Sequence, residues 1–149
     1  MSSASSTNPV PGAKLRAVLD TNIYVAAFGH PKGNNAKLFA AARGTRYQLL
    51  ISPAIVRELA RVLRSTFQWQ DERIQKAVRV VAQVAEVVPP CTKLNVITAD
   101  PDDNRILECA VDGKADLIVS NDHHLLDLKT YENIPIIAGP DFRRTLGLR

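Results

Sequence analysis

Residues 15–22 read LRAVLDTN, an apolar, strand-like run that ends abruptly at Asp20. A second stretch of the same kind is LIVSND at 117–122, where the apolar residues lead through two small polar residues into Asp122. Short continuous apolar runs are typical of parallel strands that are buried on both faces of a sheet. Because such strands alternate with helical segments along the chain, the sequence predicts an α/β fold with helices covering both faces of the sheet.

Helix caps and turn residues place the remaining elements. Ser52-Pro53 is a favourable helix N-cap followed by proline at the first helical position, and Pro89-Pro90 ends a long amphipathic helix. The predicted helices are 23–28, 36–42, 53–63, 71–87 and 100–113, with a terminal helix capped by Asp141, and the predicted strands are 15–19, 47–51, 93–97, 117–119 and 134–138. The sequence therefore predicts a three-layer α/β/α sandwich around a central parallel sheet of about five strands.

The composition is that of one globular domain. The chain has 149 residues, 46% of them hydrophobic and 23% charged, and we assign residues 14–149 to a single domain. Residues 1–13 are mostly polar, contain Pro and Gly, and are expected to form a flexible tail. No apolar stretch approaches the roughly 20 residues of a membrane span, and no secretory signal is visible. Since Cys91 and Cys109 also lack metal-ligand spacing, we expect a cytoplasmic protein with reduced thiols.

Asp20 and Asp122 each come at the end of a predicted strand. Either residue alone is equally well explained as a cap for the helix that follows. Parallel strands joined by right-handed crossovers, however, bring their carboxyl ends to one edge of the sheet, which is where ligands bind in such folds. We therefore expect the two carboxylates to lie near each other.

Two further acids lie on predicted helices, next to the apolar faces. Asp103 precedes Ile106 and Leu107 by three and four residues, so its side chain is expected on the buried face of that helix. A carboxylate directed at the core is unfavourable unless a partner compensates it. Glu58 lies on the border between the apolar and the basic stripe of its own helix. A surface ion pair with Arg61 is the alternative interpretation of Glu58.

Four carboxylates at one edge of a sheet cannot all ionise cheaply without a cation among them. Oxygen ligands favour Mg²⁺ or Mn²⁺, whereas zinc would require His or Cys at ligand spacing. His123 and His124 are adjacent and are expected to point in different directions, so the sequence does not support a zinc site. A metal cluster of this kind suits phosphodiester hydrolysis, since a bound ion activates water and steadies the leaving oxygen.

The charge pattern is compatible with a polyanionic partner, since the net charge is +4. A basic stripe borders Glu58 and consists of Arg57, Arg61 and Arg64. Its ordinary interpretation is a solvated helix face, but beside a metal site it is also a candidate RNA-binding track. Tyr24 and Trp69 are candidates either for base stacking or for the core.

The same stretches resemble the motifs of the PIN-domain family. VLDTN at 18–22 is similar to the opening motif of that family, and SPAIVREL at 52–59 is similar to the second. DDNRILECA at 102–110 resembles the third motif, and LIVSND at 117–122 the fourth. Residues 136–142 are similar to the closing strand and proline turn of the branch that contains VapC-like toxins. The likeness covers nearly the whole chain, with the four motifs in the same order.

The resemblance implies a PIN-like fold and an endoribonuclease that depends on Mg²⁺ or Mn²⁺. Carried over position by position, it implies that the metal-binding and catalytic acids are Asp20, Glu58, Asp103 and Asp122. It also implies polar support around them from Thr21, Asn22 and Ser120. Many such proteins are toxins that a small antitoxin neutralises, and many form homodimers or higher homo-oligomers. The implied partners are therefore an RNA substrate, a small antitoxin and further copies of the chain, without a membrane.

The chain departs from the family pattern at two places. Asp102 stands beside Asp103, so the register of the third acid stays open, although the core-facing position favours Asp103. The fourth acid is followed by His123-His124, where relatives often have Lys or Arg. The second departure affects the expected substrate contacts near Asp122 and leaves the predicted metal site unchanged.

Four other functions are compatible with parts of this pattern. A PIN-like module that only binds RNA or a protein would have no need of four costly carboxylates. A housekeeping RNA-processing nuclease would have the same site as a toxin. A phosphatase would require a second acid two residues after Asp20, where Asn22 stands, and a phospho-accepting receiver domain would require a lysine at the end of a late strand.

Overall fold

The computed structural model describes residues 14–148, so the predicted tail of residues 1–13 lies outside the described residues. The strands are β1 (Arg16–Leu19), β2 (Gln48–Ile51), β3 (Glu86–Val87), β4 (Leu117–Val119), β5 (Thr130–Tyr131) and β6 (Ile134–Ile137). The helices are α1 (Thr21–Gly29), α2 (Asn34–Arg43), α3 (Pro53–Phe67), α4 (Asp71–Val84), α5 (Asp103–Asp112), α6 (His123–Leu126) and α7 (Gly139–Thr145).

The strands form one sheet in the order β3-β2-β1-β4-β6-β5. All neighbouring strands are parallel except β5, which pairs antiparallel with β6. Leu19 of β1 is in register with Val119 of β4, so these two strands end at the same edge of the sheet. The α/β fold with a mostly parallel sheet flanked by helices is thus confirmed, with six strands rather than about five. The short elements α6 and β5 were not predicted, because neither is long enough to display a periodicity.

The core consists of the central strands and the apolar faces of the helices. Ala17, Val18 and Leu19 of β1 are fully buried, as expected for a strand covered on both sides. Ile55, Leu59 and Leu63 form a fully buried stripe along α3 at helical spacing, while the arginines of that helix lie outside it. The packing of this stripe against the core sets the orientation of α3. The orientation of α3 in turn sets the position of Glu58.

One predicted strand was wrong in position. Helix α4 ends at Val84, short of the predicted residue 87, and residues 86–87 form the edge strand β3 beside β2. Residues 93–97, which were predicted to be a strand, pair with no other strand among residues 14–148.

Acidic side chains of α5 hold the segment that precedes it. The Asp112 carboxylate accepts hydrogen bonds from the backbone N–H groups of Cys91 and Thr92, at 2.9 and 3.1 Å. One turn earlier in α5, Glu108 accepts a hydrogen bond of 2.7 Å from the N–H of Leu94. These backbone donors are satisfied by side chains, so the segment has no need of a neighbouring strand.

Asn104 completes this series one further turn toward the start of α5. Its Oδ1 atom accepts hydrogen bonds from the backbone N–H groups of Val96 and Ile97, at 2.9 and 2.8 Å. Its Nδ2 atom donates to the carbonyls of Ile97 and Pro101, at 2.7 and 3.1 Å. Asn104 is 1% exposed, and it therefore fixes the turn that leads into α5.

Two predicted helix starts were also displaced. Helix α5 begins at Asp103 rather than at Asp100, because the N–H groups of residues 103–105 bond to carbonyls only three residues earlier and form a tighter turn. Helix α7 begins at Gly139 with Ala138 as its N-cap, so Asp141 lies in the first turn and is not the cap.

Across residues 14–148, every helix is too short or too polar to cross a membrane. Both cysteines are free thiols, Cys91 exposed and Cys109 buried.

We expect Asn104→Ala to lower the free energy of unfolding by about 2–3 kcal/mol, because it leaves backbone N–H groups near Ile97 without acceptors. Chemical denaturation followed by circular dichroism measures this. The control is Asn95→Ala, an exposed asparagine in the same segment, which should change the free energy by less than about 0.5 kcal/mol. Equal effects of the two substitutions would show that Asn104 does not hold the segment.

Candidate metal centre

Asp20 lies at the carboxyl end of β1 and is 4% exposed. It occupies the N-cap position of α1 but its side chain makes no cap hydrogen bond there. Instead, Ser120 at the end of β4 donates from Oγ to Asp20 Oδ2, at 2.7 Å. Burial raises the pKa of Asp20 above its ordinary value, the Ser120 hydrogen bond acts in the opposite direction, and the charge of Asp122 raises the pKa further. Helix capping alone therefore does not account for this residue.

Asp103 and Asp122 approach each other at the same edge of the sheet. Asp122 caps α6, since its Oδ1 accepts a hydrogen bond of 3.0 Å from the backbone N–H of His124. Asp103 is 5% exposed, and its Oδ2 atom is buried without a hydrogen-bond partner. Burial raises the pKa of Asp103 to about 8, and the neighbouring carboxylates, Asp122 foremost, contribute to the increase. A carboxylate in this environment calls for a positively charged partner.

The geometry distinguishes Asp103 from Asp102. The side chain of Asp103 is 8% exposed and is directed toward Asp122, whereas that of Asp102 is 55% exposed. Asp102 Oδ2 instead lies 3.4 Å from an Arg61 nitrogen, outside the group of buried acids. Asp103 is therefore the residue of this pair that lies beside Asp122 at the edge of the sheet, as its helical position predicted.

Two residues join the cluster that were not predicted to belong to it. Ligand atoms of Asp100, Asp103, Asp122 and His124 all lie within 4.8 Å of one another. Asp100 is brought there by the tight turn before α5, which the sequence pattern had assigned to the helix itself. The backbone N–H of His124 donates to Asp122 Oδ1, which keeps the start of α6 next to these acids.

The expectation that the two adjacent histidines point apart was therefore wrong. The ring centroids of His123 and His124 are 4.1 Å apart. His124 Nδ1 lies 3.7 Å from Asp103 Oδ2 and 3.6 Å from Asp122 Oδ1. The sequence signal for this contact was the pair of histidines directly after Asp122. That signal could not be interpreted without knowing that the four-residue helix α6 begins at His123.

Glu58 reaches the same edge of the sheet from α3. Thr21 Oγ1 donates to Glu58 Oε1 at 2.9 Å, which links Glu58 to the residue that follows Asp20. Burial raises the pKa of Glu58, the Thr21 hydrogen bond lowers it, and the charges of Asp102 and Asp20 raise it. The alternative ion pair with Arg61 is also present, at 3.7 Å. Asp20 and Glu58 thus adjoin the group of four residues without belonging to it.

Ser120 and Thr21, two of the residues predicted to support the site, link its parts. Ser120 is fully buried, and its Oγ accepts a hydrogen bond of 3.0 Å from the backbone N–H of Asp122 while donating to Asp20. Thr21 is 1% exposed and binds Glu58 as described above. Asn22, the third predicted supporting residue, is exposed.

The basic stripe is only partly adjacent to the acids. Arg61 bridges Glu58 and Asp102 at the rim of the cluster. Arg64 pairs instead with Asp71 of α4 at 2.6 Å, and Arg57 borders the groove between α3 and α4. Of the three arginines, Arg61 is therefore the one placed beside the candidate centre.

The two aromatic candidates for base stacking are packed within the protein. Tyr24 is 1% exposed. Trp69 contacts the rings of Phe28 and Phe67, and the Arg73 guanidinium lies 3.8 Å from its ring centroid. The core interpretation of Tyr24 is thus confirmed, and Trp69 belongs to an aromatic cluster.

The arrangement brings carboxylate oxygens of Asp100, Asp103 and Asp122 together with one nitrogen of His124. Such a set fits a hard divalent cation better than zinc, which binds mainly through His and Cys. The unpartnered Oδ2 atom of Asp103 supports this fit independently of charge.

Comparison with known proteins identifies several similarities. The family model described as PIN domain matches residues 16–124, more than half of the chain. The chain is 29% identical to an uncharacterized protein of Methanocaldococcus jannaschii over 121 aligned residues. The alignment covers 78% of this chain and 76% of that protein.

Two solved structures share the fold. One is a chain in the crystal structure of VapBC2 from Rickettsia felis bound to a DNA fragment from their promoter, with a TM-score of 0.59 and 19% identity, covering 83% of this chain and 98% of that chain. The other is the PIN domain endonuclease Utp24, with a TM-score of 0.54 and 18% identity, covering 89% of this chain and 88% of that chain. At such identities these structures establish the fold alone.

We expect the metal-free protein to lose stability as the pH rises. Because the pKa of Asp103 is raised to about 8, the folded chain retains a proton that the unfolded chain releases near its ordinary value of 3.8. The resulting stabilisation is complete at low pH and is lost as the pH rises through about 8. In EDTA, the melting temperature should fall by at least about 5 °C between about pH 5.5 and about pH 8.5.

Asp103→Asn should remove most of this fall, whereas Asp102→Asn, its exposed neighbour, should leave the fall unchanged. Scanning calorimetry across this pH range measures all three proteins. Identical profiles for the wild type and Asp103→Asn would show that Asp103 does not cause the pH dependence of the melting temperature.

Proposed function

Because the chain belongs to the PIN domain family, we propose that it is an endoribonuclease that hydrolyses RNA phosphodiester bonds with Mg²⁺ or Mn²⁺. The observation that carries this proposal is the buried Asp103 carboxylate, whose Oδ2 atom has no hydrogen-bond partner and lies close to other carboxylates. Structural ion pairs alone would place a lysine or arginine against such an oxygen. A divalent cation provides the same compensation and also a catalytic role.

We propose that Asp20, Glu58, Asp103 and Asp122 hold the cation and are the catalytic acids. A bound divalent ion would supply Lewis-acid activation of water and of the scissile phosphate. Ser120 holds Asp20 in one orientation, so its other carboxylate oxygen is suited to orient the attacking water. Thr21 does the same for Glu58, and both hydroxyl groups remain fixed because they are buried.

Arg61 is the best-placed residue for contact with the RNA backbone. Its side chain is 61% exposed and lies at the rim of the cluster, where an approaching phosphate would compete with Glu58 and Asp102 for it. Arg57 and Arg64 extend the basic stripe away from the centre and would contribute mainly nonspecific, salt-dependent attraction.

We further propose that the protein acts as a toxin that a small antitoxin partner neutralises, and that it forms a homodimer or higher homo-oligomer. The similarity to VapBC2 of Rickettsia felis over 98% of that chain supports the first part of this proposal at the level of the fold. The likeness to the endonuclease Utp24 favours a second candidate, an RNA-processing nuclease with the same chemistry.

We expect untagged protein to cleave RNA in the presence of Mn²⁺ or Mg²⁺ and to lose this activity in excess EDTA. Asp20→Asn and Asp103→Asn should each reduce the cleavage rate by at least about 100-fold, because each removes a charge that holds the cation. Gel analysis of total RNA and of a structured RNA measures the rates. Asp141→Asn, an exposed acid of α7, is the control and should retain wild-type activity.

Cleavage that persists unchanged in EDTA would contradict a metal-dependent mechanism. RNA binding without cleavage, despite bound metal, would favour a module that only binds RNA.

Expression of the wild-type chain in growing bacteria should arrest growth if the protein is a toxin, whereas Asp20→Asn should not, because arrest requires RNA cleavage. Growth curves after induction, with equal protein levels verified by immunoblotting, measure the effect. Normal growth with a chain that cleaves RNA in vitro would contradict the toxin role and favour the processing nuclease.

A further inference from the structure

His124 has an unusual position for a histidine in a nuclease with an acidic centre. Its Nδ1 atom is buried and has no hydrogen-bond partner, although one third of the side chain is exposed. That atom lies 3.7 Å from Asp103 Oδ2 and 3.6 Å from Asp122 Oδ1. Both distances exceed the hydrogen-bond range of about 2.7–3.2 Å, so neither contact satisfies the nitrogen.

These distances are compatible with two ligands of one cation. At metal–ligand distances of about 2.1 Å, ligand atoms on the same ion are separated by about 3.0–4.2 Å. The Asp103 oxygen that faces His124 is itself the buried atom without a partner. Two unpartnered buried polar atoms thus face one point, together with carboxylate oxygens of Asp122 and Asp100.

The backbone of α6 holds the histidine in this position. The backbone N–H of His124 donates to Asp122 Oδ1, so the backbone of His124 is held next to the Asp122 carboxylate. His123 differs, since its side chain is 75% exposed and its Nδ1 lies 3.7 Å from Asp122 only. The two adjacent histidines therefore form a natural pair of test and control positions.

We propose that His124 is a nitrogen ligand of the divalent cation, in addition to the acids proposed above and together with Asp100, and that it makes the centre prefer Mn²⁺ over Mg²⁺. This inference rests on the proposed metal-dependent function. Mg²⁺ takes oxygen ligands and gives up its waters reluctantly, whereas Mn²⁺ is larger and accepts an imidazole nitrogen more readily than Mg²⁺ does. An all-carboxylate centre would discriminate less between the two ions.

The test is electron spin echo envelope modulation of Mn²⁺ bound to the untagged, full-length protein. A nitrogen ligand produces modulation at ¹⁴N frequencies, and labelling the histidines with ¹⁵N must shift those frequencies without altering the chain. We expect the modulation in the wild type and in His123→Gln, and its loss in His124→Gln. If His124→Gln does not fold, His123→Gln and His30→Gln identify the ligand by elimination, since the chain has 3 histidines.

Isothermal titration gives the second readout. His124→Gln should weaken Mn²⁺ binding by about 10-fold or more and Mg²⁺ binding by less than about 3-fold, while His123→Gln should change neither affinity appreciably. Bound Mn²⁺ without nitrogen modulation would overturn the role of His124 and leave the nuclease proposal standing. Failure to bind Mn²⁺ at all would overturn both.

Discussion

Asp103 and Asp122 carry like charges into a poorly hydrated edge of the sheet, and the free energy of this arrangement depends on what compensates them. Hydrogen bonds offset part of the cost of burying the other carboxylates. Ser120 donates to Asp20, Thr21 donates to Glu58, and the backbone N–H of His124 donates to Asp122. The Oδ2 atom of Asp103 receives no such bond and is buried. The pKa of Asp103 is raised for the same reason, because burial and the neighbouring carboxylates disfavour its charged form.

The fold creates this situation by two independent means. The register of β1 and β4 places Asp20 close to Ser120, at the ends of adjacent parallel strands. The buried face of α5 then delivers Asp103 to the same edge, while Asn104 fixes the preceding turn. Because these supports are covalently remote from one another, the acids can meet only in the folded chain. A site built in this way is preorganised, and preorganisation is what makes charge stabilisation effective in catalysis.

The sequence predicted those parts of the structure that depend on local pattern. The apolar runs that end in Asp20 and Asp122 gave the strands and their common edge, and helical spacing directed Asp103 rather than Asp102 toward the core. It could not predict that α5 side chains would satisfy the backbone donors of residues 91–97, because those bonds join segments that are distant along the chain. The sequence also did not predict that Asp100 and His124 would lie in the candidate metal centre. Their positions depend on a tight turn and on a four-residue helix, neither of which has a clear sequence pattern.

A centre of this kind reconciles a stable fold with phosphodiester chemistry, since the cation that relieves the repulsion also activates the substrate. Crystals soaked in Mn²⁺, with anomalous diffraction recorded near the manganese absorption edge, test this account most directly. We expect an anomalous peak within about 2.3 Å of carboxylate oxygens of both Asp103 and Asp122. A fully occupied Mn²⁺ elsewhere on the protein, with Asp103 Oδ2 hydrogen-bonded to a protein donor, would contradict the account.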